Sequence, residues 1–72
     1  MIEVYSLEVS CILGSMRHMQ QSSYTVGEGG IVKICETQNT FMIDLTPDKQ
    51  GRRRVMFINK DRYYKYYVTY ND

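Results

Sequence analysis

The sequence predicts an all-β protein, a small five-stranded antiparallel meander whose body is Ile31–Tyr70. Three observations carry that expectation. Period-two alternation, rich in β-branched and aromatic residues, recurs in short runs, as half-buried strands require. Turn-forming residues separate the runs: Gln38-Asn39, then Pro47 to Gly51, then Asn59 to Arg62. The register that the Gln38-Asn39 turn imposes also brings matched side chains together with no further adjustment.

Residues 2–13 read as a long first strand. Tyr5, Leu7, Val9, Cys11 and Leu13 alternate with Ser6, Glu8, Ser10 and Ile12. Ile2 and Val4 have the opposite parity to Leu7 and Val9, which places a bulge or bend near Val4-Tyr5. Gly14–Gly30 is the longest break in the pattern. It is either a long polar loop or a short helix over Ser15–Gln21 with Ser15 as N-cap, a length at which a helix is marginal. Tyr24–Val26 is a short strand or a loop segment over one end of the fold. Gly27-Glu28-Gly29-Gly30 lets the backbone reverse before Ile31; it lacks the Lys-Ser/Thr ending of a phosphate-binding loop.

Ile31–Cys35 and Phe41–Leu45 form the next hairpin. With Gln38-Asn39 as its loop, Thr37 faces Thr40. Ile34 then opposes Ile43 and Val32 opposes Leu45 inside, while Lys33 opposes Asp44 outside. A Pro47–Gly51 loop next sets Asp44 opposite Arg54 and Ile43 opposite Val55. Lys33, Asp44 and Arg54 would make a row of alternating charge. Arg52–Ile58 and Tyr63–Tyr70 pair as the last hairpin. Val55, Phe57, Tyr64, Tyr66, Val68 and Tyr70 fall on its inner face. Arg52, Arg54, Met56, Ile58, Tyr63, Lys65 and Tyr67 fall on its outer face.

One strand, a long loop and four strands joined by turns is the plan of an SH3-like barrel; an open curved sheet that dimerises is the alternative. Gly27–Ile34, with the sequence GEGGIVKI, resembles the glycine-then-alternating core of KOW motifs. That resemblance implies a small barrel and contact with RNA or ribosomal partners. The chain reads as a single β domain over residues 1–72, with no repeat and no linker. A domain this small buries only about 60% of its unfolded surface. Oligomerisation or a bound partner commonly supplements such a core.

Composition narrows the function. Nine Lys and Arg stand against eight acids, for a net charge of +1. That balance suits a duplex-DNA binder poorly. Basic residues nevertheless cluster: Lys49, Arg52, Arg53, Arg54, Lys60, Arg62 and Lys65 lie close together, with Asp61 the one acid among them. Cys11, His18 and Cys35 lack the paired spacing of a zinc site. Cys11 reads as inward and Cys35 as outward, so two free thiols are expected rather than a disulfide. No basic leader opens the chain, and no run approaches the ~20 apolar residues that span a membrane. The expectation is a cytoplasmic protein without membrane contact.

The eight acids form no motif, and a sheet this small offers little concave volume for a hydrolase. No enzyme activity, cofactor or metal is expected. What remains is the outer set: Arg52, Arg54, Met56, Ile58, Tyr63, Lys65 and Tyr67. Tyr, Arg and Met are enriched at protein-interface hot spots. This face predicts a small inhibitor or adaptor that works by protein–protein contact or self-association. The alternative is a single-stranded RNA or DNA module, in which Arg52–Arg54 meet phosphates and tyrosines stack on bases.

Overall fold

The structure is a computed structural model and describes residues 1–13 and 18–71. It is all-β, as expected, with six strands rather than five: β1 (Ile2–Leu13), β2 (His18–Thr25), β3 (Ile31–Glu36), β4 (Thr40–Leu45), β5 (Arg54–Asn59) and β6 (Lys65–Tyr70). All pairings are antiparallel, and the sheet curls into a half-barrel.

β1 organises the sheet because it is long enough to serve three neighbours. Ile2, Glu3 and Val4 pair with β3; Ser6 to Leu13 pair with β2; Val4 to Ser10 pair with β6 along the opposite edge. The parity break near Val4-Tyr5 is where the β1–β6 register shifts, between Val4 and Ser6. This bulge turns Val4 inward together with Leu7 and Val9 and leaves Tyr5 outside, where the simple alternation had it inside. The Tyr5 carbonyl accepts a bond from the Val26 N–H.

The largest departure before Ile31 is β2. His18–Gln21, placed in a helix or loop by the sequence, belong to a strand paired residue for residue with β1. The remainder of the proposed helix, residues 14–17, lies outside the described residues. Gln20 to Ser23 are polar on both faces, so no alternation marks them. The ladder to β1 decides their conformation. Beyond Ser10, β1 has only β2 beside it. The resulting ribbon helps raise the radius of gyration to 13.2 Å, against about 11 Å for a compact chain of this length.

The turn after β2 needs its glycines. Gly30 has φ 79°, and a Cβ there would sit 3.1 Å from Thr46 Oγ1. The β3–β4 hairpin follows the expected register at Lys33–Asp44 and Ile34–Ile43. Thr37 and Thr40 close it, with the Thr37 N–H bonded to the Thr40 carbonyl at 2.9 Å. One pair differs. A bulge between Ile31 and Lys33 sets Ile31, not Val32, opposite Leu45; Ile31 is buried and Val32 is exposed.

Between β4 and β5 the register lies one residue from the expected one. Leu45 faces Arg54, Asp44 faces Val55, Ile43 faces Met56, Met42 faces Phe57 and Phe41 faces Ile58. The cause is the turn. Asp48 Oδ1 accepts bonds from the N–H groups of Gln50 and Arg52, and the Asp48 carbonyl accepts one from Gly51, which sits at φ 79°. This compact Asp48–Arg52 turn leaves Thr46, Pro47 and Arg53 outside the ladder as well. The Asp48 carboxyl is held below its ordinary pKa, chiefly by the Arg52 N–H.

Because strand side chains alternate with a period of two, one residue of slip exchanges the faces. Met56 and Ile58 therefore point inward and Val55 and Phe57 outward, the reverse of the sequence expectation. The row of alternating charge is also revised: Asp44 bonds Arg53 at 2.9 Å, while Arg54 Nε donates to the Thr46 carbonyl.

β6 does not pair with β5. A 3-10 turn, Lys60–Arg62, carries the chain across to β1. The Lys60 N–H bonds the Asn39 carbonyl, and the Tyr64 N–H bonds the Ser10 carbonyl as the chain docks on β1. Tyr63 and Tyr64 thus precede the strand, and its parity does not govern them. Tyr63 packs against the core and Tyr64 is exposed, each the opposite of its expected position. Within β6 the expected inner face holds at Val68, which packs on the core; Tyr66 meets Phe41 edge-on but is exposed, and Tyr70, expected inside, is exposed as well.

The core is Val4, Leu7 and Val9 from β1 packed against Ile31 and Ile34 of β3, Phe41 and Ile43 of β4, and Ile58 of β5.

Candidate protein-contact surface

The outer face of β3–β4–β5 follows from the registers. One cross-strand row runs Glu3–Cys35–Met42–Phe57 and the next Lys33–Asp44–Val55. Cys35 is on the expected outer face but is covered by its neighbours, at 8% exposure. Phe57, on β5 at the end of its row, is 62% exposed. Cys35, Met42, Phe57 and Val55 make an apolar strip across the three strands.

Ion pairs border that strip. Glu3 and Lys33 approach to 3.6 Å, and Asp44 holds Arg53. Arg52 Nε meets Asp48 Oδ2 at 3.0 Å, and its Nη2 bonds Gln50 Oε1. Each of the three consecutive arginines has an acceptor within or beside its own turn. Such exposed pairs contribute at most about 1 kcal/mol each, but they orient the guanidinium groups along the rim.

The inner face has two features. A concave region of about 560 Å³ lies between Tyr24 of β2 and Ile31, Leu45 and Met56, with Glu28 at its edge. At the other end, Glu36 accepts bonds from Lys60 Nζ and Tyr70 Oη, both at 2.5 Å, while Lys60 Nζ lies 5.1 Å from the Phe41 ring centre. Burial raises the Glu36 pKa, but the Lys60 and Tyr70 hydrogen bonds and the Lys60 charge outweigh it and leave the carboxyl below its ordinary value. The same bond, with burial, holds the Tyr70 hydroxyl above its own.

A carboxyl depressed in the folded state adds stability above its unfolded pKa, about 4.3, and that stability is lost as pH falls through the folded value. Wild type will therefore exceed Glu36→Gln in urea midpoint near neutrality, and the gap will close as pH is lowered from about 6 to about 3. A gap independent of pH would show that Glu36 titrates as it does in the unfolded chain.

The expected site residues do not share one surface. Arg52, Arg54, Lys65 and Tyr67 are exposed; Met56 and Tyr63 pack on the core, and Ile58 is buried. Lys65 lies over the Tyr67 ring at 5.6 Å on a different strand from the arginines. Phe57, Val55 and Met42, absent from the expected outer set, occupy the face that Met56 and Ile58 were to fill. The signal that would have found them was the capping capacity of Asp48, which lengthens the turn.

No protein-family model matches the chain, and no curated protein or solved structure does either. No helix among the described residues is long and apolar enough to cross a membrane.

Proposed function

We propose that the protein is a small non-enzymatic binding module that acts by protein–protein contact, self-association included, through the outer face of β3–β4–β5. The observation that supports it most is Phe57: a large aromatic ring exposed beside Met42 and Val55, with arginines at the rim. Aromatic and Met anchors ringed by Arg are the composition of interface hot spots. We read the half-barrel as SH3-like, since a 3-10 turn leads into a last strand that returns to the first. The same reading places an inhibitor or adaptor in the cytoplasm, where the thiols of Cys11 and Cys35 stay reduced.

A second reading, single-stranded nucleic-acid binding, draws on a different surface. Tyr64 and Tyr67 are 67% and 59% exposed and are interleaved with Arg62 and Lys65. Stacking on such rings beside basic groups is tolerant of sequence and sensitive to salt.

One experiment separates the two. A photoreactive amino acid is placed at position 57, at position 67, or at exposed Gln21 as a control, and illuminated in cells. Protein adducts at 57, retained at high salt and exceeding those at 21, are the expected result. RNA adducts at 67 with none at 57 would replace the first reading by the second. Equal labelling at all three positions would remove both.

A further inference from the structure

We infer that the partner of β5 is a second copy of the same chain. The two copies join through the free edges of β5 across a two-fold axis, so that β3–β4–β5 continues into the other copy's sheet. This inference rests on the reading of the outer face above and names its partner.

Among the described residues, β5 pairs with β4 along one edge and with no strand along the other. A free edge presents unpaired N–H and C=O groups to any extended chain. Sheets usually guard such edges with inward charge, proline or a bulge. β5 has one of these, the charge of Arg54 at its first position; beyond it Val55-Met56-Phe57-Ile58 carries no charge and no proline, and its register to β4 is unbroken from Thr40 to Leu45. The free edge of β2 differs, being polar from Gln20 to Ser23.

The segment is complementary to itself. Antiparallel pairing about Met56 sets Val55 opposite the other copy's Phe57, twice, on the outer face. Aromatic and β-branched residues are favourable cross-strand partners. Met56 meets Met56 on the inner face, Arg54 falls opposite Ile58, and Arg53 falls opposite Asn59. No like charges face each other within the strand. Pairing about Phe57 instead would set Val55 against Asn59 and Arg54 against Lys60. At the ends of the Met56-centred pairing, Arg52 and Lys60 come together already bound to Asp48 and Glu36. The apolar row Cys35–Met42–Phe57 would continue across the axis rather than end at solvent.

The test combines sedimentation with cysteine linkage. Wild type should sediment as a monomer–dimer equilibrium that shifts toward dimer as concentration rises. Phe57→Glu, a substitution on an exposed side chain, should be monomeric with an unchanged circular dichroism spectrum. With Cys11 and Cys35 both changed to alanine, Met56→Cys should form an intermolecular disulfide on oxidation. Directly opposed strand residues have Cα atoms about 4.5–5.5 Å apart, within disulfide reach. Phe57→Cys, two residues out of line with its own copy, should not link.

A wild type that stays monomeric at millimolar concentration overturns the inference. So does a dimer indifferent to Phe57→Glu, or linkage at 57 in preference to 56. If the protein is monomeric yet a probe at position 57 still captures other proteins, this inference falls and the protein-contact reading stands. If neither occurs, both fall.

Discussion

Phe41→Ala will leave the protein largely unfolded at room temperature. Phe41 is fully buried in β4, between Glu36 on β3 and Ile58 on β5. Tyr66 from β6 meets its ring edge-on, with centres 5.4 Å apart at 76°. The residue therefore ties the β3–β4–β5 layer to the strand that docks on β1. Truncating a buried phenylalanine costs about 3–5 kcal/mol, and the lost aromatic pair adds roughly 0.5–1.5 kcal/mol. A core of this size rarely supplies more than about 3–5 kcal/mol in all. Far-UV circular dichroism against urea gives the answer. A cooperative transition close to that of wild type would mean that the Phe41–Tyr66 contact does not join the two layers.

The second large effect divides neighbouring residues of one strand. Ile58→Ala will destabilise by about 2–5 kcal/mol, because Ile58 is 4% exposed and packed in the core. At a concentration where the protein is monomeric, Phe57→Ala will change stability by no more than about 0.5 kcal/mol, as surface substitutions do. The difference between the two urea midpoints carries the result. It reverses the ranking that period-two reading of the sequence predicts for β5. Equal losses would place both side chains in contact with the core.

That reversal marks where sequence reasoning stops. The all-β class was legible because hydrophobic alternation is a local signal, and it survives intact in β4. The Thr37–Thr40 turn was legible because its own side chains close it. The bulge in β1 was legible because Ile2 and Val4 break parity with Leu7 and Val9. Three features were not. The polar stretch of β2 owes its strand to β1, a pairing that no local pattern announces. The β4–β5 register depends on how many residues the Asp48–Arg52 turn removes from the ladder, and that count follows from side-chain capping. The partner of β6 depends on the 3-10 turn at Lys60–Arg62, which redirects the chain to β1. The candidate site inherited these errors: Met56, Ile58 and Tyr63 were read as outward because strand parity was continued through turns that reset it.

Everything proposed for the outer face rests on which residue of β5 stands opposite which residue of β4. Cross-strand nuclear Overhauser contacts between backbone protons report that directly. The structure predicts contacts for Phe41 with Ile58, Met42 with Phe57, and Ile43 with Met56. Contacts linking Met42 with Met56 and Ile43 with Val55 would return Phe57 to the interior and contradict the contact surface.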